Sequence, residues 1–136
     1  MIAALIQAGI VRGLVLGNPD VFIAPEECVL EAWETRGDWN RRRVPDALIR
    51  EALDLMTDRF VAVVTRPTHA EREPEARTLI RDPDDVPVVA LALAVDNQGI
   101  WTFNTKDFST PELLARVRVL GTGEVKALLK GSTEDR

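Results

Sequence analysis

Residues 81–108 read RDPDDVPVVALALAVDNQGIWTFNTKDF. A cluster of carboxylates opens a segment in which almost every side chain from Val86 to Val95 is apolar, and this predicts a helix enclosed on most sides instead of an amphipathic surface helix. The segment Ile100 to Phe103 is short, β-branched and aromatic, as a buried parallel strand is. Polar residues therefore meet at one edge of a buried α/β layer, which is where α/β folds hold their sites.

The start and the end of this helix carry their own signals. Asp84 is predicted as the N-cap and Asp85 as a first-turn residue, and Pro87 is tolerated there because first-turn amides have no intrahelical partner. The turn of residues 96–99 ends the helix, with Gly99 in a left-handed or turn conformation. The helix dipole favours an acid such as Asp85 at this place whatever the function, so its position alone does not make it catalytic.

The rest of the chain alternates between strand and helix signals. Strands separated by helices predict an α/β fold with a parallel sheet covered on both faces. No linker or repeat divides the chain, and we expect one domain over residues 1–130 with a flexible tail at 131–136. Ile2 to Leu16 is predicted as one helix or as two short helices hinged at Gly9 and Gly13. The other predicted helices are Pro25 to Trp33, Pro45 to Phe60, His69 to Ile80, Thr110 to Val117 and Gly123 to Lys130, and the further strands are Val21 to Ala24, Val61 to Thr65 and Arg118 to Gly121.

Composition narrows the functional classes. The 136 residues are 46% hydrophobic and 29% charged, as in an ordinary globular domain, and no apolar run of eighteen or more residues predicts a membrane span. No secretory leader pattern is present, so we expect a cytoplasmic protein. One cysteine, Cys28, and one histidine, His69, argue against a disulfide, a cysteine-rich zinc site and a Ser/His/Asp triad. Catalysis, if there is any, must use carboxylates.

Charge is unevenly distributed along the chain. The net charge of −5 argues against nucleic-acid binding by bulk electrostatics, although Arg36 and the run Arg41 to Arg43 form a local basic cluster around Trp39. This cluster has two interpretations: a solvated loop before the next helix, or an edge that contacts phosphate or a partner. His69 is predicted as a surface residue at a helix start, and the tryptophans as packing residues.

The same residues carry a family resemblance. Asp85-Val86-Pro87 with its Ala/Leu-rich helix, followed by the segment from Trp101 to Phe108, resembles the C-terminal half of a PIN domain nuclease, the fold of the VapC-like toxins. Phe22 to Glu26 followed by Glu31 is similar to the second strand of that family and its helix-borne glutamate. The resemblance implies a three-layer α/β fold, a parallel sheet flanked by helices.

The sequence departs from the family pattern at one place. PIN domains begin with a central strand that ends in Asp-Thr-Asn, whose aspartate belongs to the metal site, whereas Met1 stands where that strand would already have finished. We therefore expect the first central strand and its aspartate to be missing. Two origins stay open: a start codon placed too late, or a naturally shortened relative.

The resemblance implies a site and a cofactor. It assigns Glu31, Asp85 and Asp107 as catalytic and metal-binding residues for Mg²⁺ or Mn²⁺, with Thr102 and Asn104 in support. Such ions are hard and prefer oxygen ligands, and in phosphodiester hydrolysis they orient a water and neutralise phosphate charge. Without the first aspartate we expect the site to be weakened or empty. Glu31 as a solvated helix residue and Asp107 as a turn residue are the alternatives.

Two functional classes follow. The first is a metal-dependent endoribonuclease with an RNA substrate, as the toxin of a toxin–antitoxin pair with an antitoxin protein as partner. The second is a catalytically silent PIN-like module for binding or dimerisation. A missing central strand would leave unpaired backbone groups and an apolar seam, so we expect a homodimer.

Overall fold

The computed structural model describes residues 22–59, 61–102 and 106–134, and the chain divides into two compact units, residues 1–65 and 66–136. The predicted helical segment Ile2 to Leu16 lies outside the described residues. The prediction of one PIN-like domain over residues 1–130 stays a prediction.

The first unit is a pair of strands with helices between them. Strand β1 runs directly into helix α1 at Pro25. This residue is the last of the strand, with the extended angles φ −70° and ψ 149°, and it is also the N-cap of the helix. Helix α1 packs against β1, and helix α3 packs against β2 and α1. The elements are β1 (Phe22–Pro25), α1 (Glu26–Glu34), α2 (Gly37–Arg41), α3 (Asp46–Arg59) and β2 (Val61–Val64).

The two strands of this unit are parallel. Phe22 pairs with Val61 and Pro25 with Val64 at the two ends of the register. Ala24 and Val61 are buried, while the β-branched Ile23 and Val63 keep 41% and 37% of their surface exposed. A β-α-β unit of this kind needs a long crossover between its strands, and α1 to α3 supply it.

The sequence of the predicted helix Pro45 to Phe60 has Leu48, Ile49, Ala52, Leu53 and Met56 at helical spacing and so predicts an amphipathic helix with one apolar face. Helix α3 confirms one part of this face and corrects another. Ile49 and Leu53 lie four residues apart on one face and are 1% and 4% exposed, as the periodicity predicts. Leu48 was predicted on the same face, but the structure leaves it 55% exposed. Leu48 comes one residue before Ile49 in the helix, so its side chain points in a different direction around the helix axis. Ile49 and Leu53 lie at the centre of the buried face.

The second unit begins with 3₁₀ turns and continues as helices around a short strand pair. Its elements are 3₁₀ turns at Arg66–Thr68, Ala70–Arg72 and Pro83–Asp85, helices α4 (Glu73–Leu79), α5 (Val86–Ala94), α6 (Pro111–Leu114) and α7 (Thr122–Glu134), and strands β3 (Ile100–Trp101) and β4 (Val119–Leu120).

Helix α5 is enclosed as predicted. Every residue from Val86 to Ala94 is buried or half-buried, and Val89 and Ala90 are fully inaccessible. The N-terminus differs from the prediction. Asp82, not Asp84, caps the preceding 3₁₀ turn, since its Oδ1 accepts a hydrogen bond from the Asp84 amide at 3.0 Å, and Asp85 takes the N-cap position of α5. The fixed φ of Pro83 suits the first position of that turn and so starts the helical geometry early.

The segment predicted as one polar helix, His69 to Ile80, is different in the structure. It consists of a 3₁₀ turn followed by α4, and its Ala76, Leu79 and Ile80 are buried in the core of the second unit. His69 is 0% exposed, so its prediction as a surface residue is wrong. The charged residues between positions 71 and 77 make the segment polar by composition, so composition alone does not reveal this buried face.

Strands β3 and β4 are parallel and form the other strand pair. Ile100 pairs with Val119 and Trp101 with Leu120, and Gly99 enters β3 with the positive φ of 146° that its turn was predicted to need. Within the described part of the chain, each sheet has two strands and no strand joins the two pairs. Parallel pairs with intervening helices confirm the predicted α/β fold class.

The C-terminal elements begin at capped turns. Thr110 caps α6, where its Oγ1 accepts a hydrogen bond from the Leu113 amide at 3.4 Å and donates one to the Leu79 carbonyl at 3.2 Å. Helix α7 continues to Glu134, past the predicted end at Lys130. None of the described helices is long and apolar enough to cross a membrane.

Candidate functional site

Asp85 is held at the head of the buried helix. Its amide donates to the Asp82 carbonyl at 3.0 Å, which closes the 3₁₀ turn, and its carboxylate does not cap the amides of α5. The next residue, Val86, is 6% exposed and belongs to the core. The backbone at Asp85 is therefore fixed by a turn on one side and by a packed helix on the other, while the residue itself is half-buried and accessible to solvent.

Asp107 is carried on an anchored turn after β3. The side chain of Asp107 is exposed, but the following Phe108 is 4% exposed and lies in the same core cluster as Val86. The Ser109 amide and hydroxyl both bond to the Lys106 carbonyl, at 3.3 and 2.6 Å, and these bonds close the turn. One buried cluster thus fixes the backbone next to both candidate ligands of the second unit, Asp85 and Asp107.

The supporting polar residues follow β3. The Thr102 amide donates to the Leu120 carbonyl at 3.0 Å, so the ladder continues one residue past the strand, and its side chain is half-buried. The end of β4 is tied to the same edge, because the Trp101 Nε1 donates to the Thr122 Oγ1 at 3.1 Å. Trp101 is 6% exposed, which confirms its prediction as a packing residue. Asn104 lies outside the described residues.

Glu31 lies in the first unit, on helix α1. It is half-buried, and its carbonyl accepts hydrogen bonds from the Thr35 amide at 2.9 Å and the Thr35 hydroxyl at 2.8 Å. Its convergence with Asp85 and Asp107 on one cation stays a prediction. Val86 and Phe108, the residues that follow the two aspartates, pack in one core cluster of the second unit. Glu31 belongs to the first unit.

A buried ionic network in the second unit was missed by the sequence reasoning. Glu73 is 7% exposed as a residue, and its two carboxylate oxygens accept from Arg66, at 3.1 and 3.2 Å, and from Arg77, at 3.3 Å. A ring nitrogen of the fully buried His69 lies within 4.8 Å of a Glu73 oxygen. Two guanidinium groups already compensate this carboxylate, so it is a structural ion-pair centre in this arrangement. The signal in the sequence was the spacing Glu73 to Arg77, one helical turn.

A second carboxylate of this unit is also held by arginines. Glu75 bonds to Arg72 at 3.0 Å and forms a short ion pair with Arg116. The hydrogen bond from Arg116 is the main cause that lowers the pKa of the Glu75 carboxyl; burial opposes it, and the hydrogen bond from Arg72 adds to the lowering. These contacts join α4 to the segment that follows α6. Like Glu73, Glu75 therefore has a structural role.

The comparison with protein families decides the assignment. The PIN domain model matches residues 1–117. The chain belongs to the PIN domain family. The match includes Glu31, Asp85 and Asp107, and it covers the first unit of this PIN domain and the second unit as far as residue 117. No curated protein and no solved structure matches the chain significantly.

Membership in the family gives the fold its general chemistry. The PIN domain is a nuclease-type fold, PIN domains generally use divalent metal ions, and they commonly bind RNA. The carboxylates at Asp85 and Asp107 fit such an ion by the chemistry of their donors, because Mg²⁺ and Mn²⁺ prefer oxygen ligands. The single histidine and the single cysteine of the chain offer little to a softer metal.

Proposed function

We propose that this PIN domain is an endoribonuclease that uses Mg²⁺ or Mn²⁺, with Asp85, Asp107 and Glu31 as its metal ligands. The observation that carries the proposal is the shared anchoring of the two aspartates. Val86 and Phe108, each the next residue in the chain, are packed in one core cluster. Their neighbours are therefore held by the same rigid interior, as ligands of one ion must be.

The roles of the residues follow from their charges and positions. When bound, the ion neutralises charge on the phosphate oxygens and orients a water for attack on the phosphodiester. The carboxylates of Asp85 and Asp107 hold the ion and keep it charge-balanced. Thr102 and Asn104 are proposed to position these carboxylates by hydrogen bonding. Glu31 is the third ligand, supplied by helix α1 of the first unit.

The first test is metal binding. We expect the missing first aspartate to raise the Kd for Mn²⁺, so the titration must extend well above that Kd. Mn²⁺ should then raise the melting temperature of the wild-type chain, because a ligand that binds only the folded state stabilises it by RT ln(1 + [L]/Kd), about 2.7 kcal/mol at a hundredfold excess over Kd. Asp85→Asn and Asp107→Asn should abolish most of this increase. Asp84→Asn is the matched control, since Asp84 is exposed beside Asp85 and is not a proposed ligand.

The second test is cleavage of a labelled single-stranded RNA with Mn²⁺ and with EDTA. The nuclease proposal expects metal-dependent products that both aspartate variants lose and the Asp84→Asn control keeps. A folded wild-type chain with no melting shift and no products would reject it. That result would support the alternative, a catalytically silent PIN module that serves in binding or dimerisation.

A homodimer in the cytoplasm is the proposed form of the protein. Large apolar side chains are exposed on both long helices of the first unit: Leu30 at 57% on α1, and Leu48 and Leu55 at 55% and 45% on α3. Exposed apolar side chains of this kind are stabilised when a second copy covers them. Sedimentation should show a dimer that Leu30→Ser and Leu48→Ser together dissociate, and a monomeric wild type would refute this proposal.

The role of a toxin in a toxin–antitoxin pair is the most specific part of the proposal. It rests on the resemblance to VapC-like toxins. Induced expression should stop growth of the host cells, Asp85→Asn should remove the effect, and coexpression of a cognate antitoxin protein should restore growth. Normal growth on expression of a chain that cleaves RNA in vitro would reject the toxin role and retain the nuclease.

A further inference from the structure

Three consecutive arginines form the C-terminal end of α2 and the turn after it: Arg41 is the last residue of the helix, and Arg42 and Arg43 follow it. We call Arg41 to Arg43 the arginine turn. The Val44 amide donates to the Trp39 carbonyl and the Arg43 amide to the Asn40 carbonyl, both at 3.0 Å. These two bonds form a Schellman motif, in which the residue at the position of Arg43 adopts a left-handed conformation and is usually glycine. Arg43 has φ 67°, and in the described part of the chain no other non-glycine residue has a positive φ.

The arginine turn is held from both sides by polar contacts. The Asn40 Nδ2 donates to the Val44 carbonyl at 3.0 Å and to the Asp46 Oδ1 at 2.8 Å. The Arg36 Nε lies 3.1 Å from the same Asp46 oxygen, and its guanidinium stacks 4.1 Å from the centroid of the Trp33 ring. The bonds from Asn40, and then from Arg36, lower the pKa of the Asp46 carboxyl. Asp46 thus braces the turn and does not neutralise its arginines.

The guanidinium groups of the turn are available to a ligand. All of Arg41, Arg42 and Arg43 are exposed. Arg41 lies 3.2 Å from Asp38, but both side chains are about four-fifths exposed, at 80% and 79%, and such surface pairs are weak. Arg42 and Arg43 make no ion pair with any residue that the structure describes. An arginine in a conformation that glycine adopts without steric cost indicates that its side chain is used for something other than stability.

We propose that the arginine turn binds consecutive phosphates of the single-stranded RNA substrate. The proposal rests on the proposed nuclease function and names a surface through which the substrate is held. Guanidinium groups match phosphate oxygens in bidentate geometry and stay charged at every working pH. The net charge of the chain is −5 and does not favour binding of an anion. Three adjacent and exposed arginines nevertheless form a local site to which a phosphate can bind. A braced turn also presents them with little further loss of conformational freedom.

The test separates the charge of Arg43 from its backbone. Arg43→Gly removes the guanidinium and places the favoured residue at the left-handed position, so the melting temperature should stay the same or rise while RNA affinity falls. The probe is a fluorescein-labelled oligouridine of about twenty nucleotides, titrated with the full chain in EDTA so that no cleavage occurs. Each arginine should contribute about twofold to fivefold in affinity, as exposed charge pairs do.

Salt dependence gives a second readout. The slope of log affinity against log salt should become shallower by about 0.7 for each phosphate that is no longer neutralised, hence by about 2 in the variant with Arg41→Ser, Arg42→Ser and Arg43→Gly combined. Arg118→Ala is the matched control. It removes one exposed arginine from the second unit and should leave both the slope and the affinity near wild type.

The outcomes distinguish this proposal from the nuclease proposal. If the triple variant binds oligouridine with wild-type affinity and slope while the wild type cleaves RNA, the arginine turn does not bind RNA and the nuclease function stands. If binding depends on the turn but wild type yields no products with Mn²⁺, the RNA-binding role of the turn stands and the nuclease function is rejected. If the triple variant fails only to bind an acidic protein partner and binds RNA normally, the proposal is overturned in favour of a protein-binding surface.

Discussion

Gly99→Ala tests the connection into β3 that carries the candidate site. A Cβ on Gly99 would lie 2.8 Å from the Leu120 Cγ and 2.9 Å from the Arg118 carbonyl oxygen, and the backbone has φ 146°, where side chains other than hydrogen are strained. The backbone oxygen cannot move away, because it accepts the Ile100 amide at 2.8 Å and so holds β3 against β4.

The magnitude follows from two contributions. A backbone in a region that essentially only glycine occupies costs roughly 1–3 kcal/mol for another residue. Forcing a methyl group into a packed contact costs about 1–3 kcal/mol more. We therefore expect Gly99→Ala to lower the free energy of unfolding by about 2–6 kcal/mol, a large part of the stability of an ordinary domain.

The assay is equilibrium unfolding of the full chain in urea, followed by circular dichroism. Gly123→Ala is the control, since a Cβ there meets nothing within 4 Å and the residue lies near the start of α7. It should be neutral or stabilising by up to about 1 kcal/mol, because alanine favours a helix more than glycine does. A Gly99→Ala chain within about 0.5 kcal/mol of wild type would refute the reasoning, since surface substitutions away from such constraints stay in that range.

Three further predictions concern the polar contacts of the second unit. Glu73→Gln should destabilise the chain by about 1–3 kcal/mol in urea, because it weakens the charge-assisted bonds of a buried carboxylate, while the exposed Glu71→Gln should have little effect. Thr110→Val should cost about 0.5–2 kcal/mol through loss of the cap of α6, and Thr110→Ser should keep most of the stability; equal stability of the two would argue against the cap. The pKa of Glu75 is lowered in the folded state, so its contribution is present above the ordinary value of 4.5 and is lost as the pH falls through the lower folded-state pKa. The free energy of unfolding, measured down to about pH 3, should decrease less steeply with falling pH for Glu75→Gln than for wild type. The same pH dependence for both proteins would contradict this.

The sequence determined the features of this protein that depend on local chain chemistry. An uninterrupted apolar run from Val86 predicted an enclosed helix, and the structure leaves none of its residues exposed. The helix-terminating turn predicted a special conformation at Gly99, and its φ is positive. The order of strand and helix signals predicted parallel pairing, which both strand pairs show. Periodicity, turn residues and element order act over a few residues or over the succession of elements, so a single sequence records them.

Tertiary structure decided which polar residues have structural roles. The spacing to Arg77 is a local signal that Glu73 can form an ion pair, but nothing local predicts that Glu73 is buried while Glu71 is exposed. His69 lies in a segment that is polar by composition and is nevertheless fully buried.

Asp85 and Asp107 of the candidate site show the same difference between what local sequence predicts and what tertiary packing decides. Asp85 and Asp107 were recognised by their neighbours in sequence, whereas the packing of Val86 and Phe108 into one cluster became visible only in the fold. Burial and ion pairing depend on which distant segments pack together. That choice is made by the combined shape and hydrophobicity of whole elements, and no short stretch of sequence contains it.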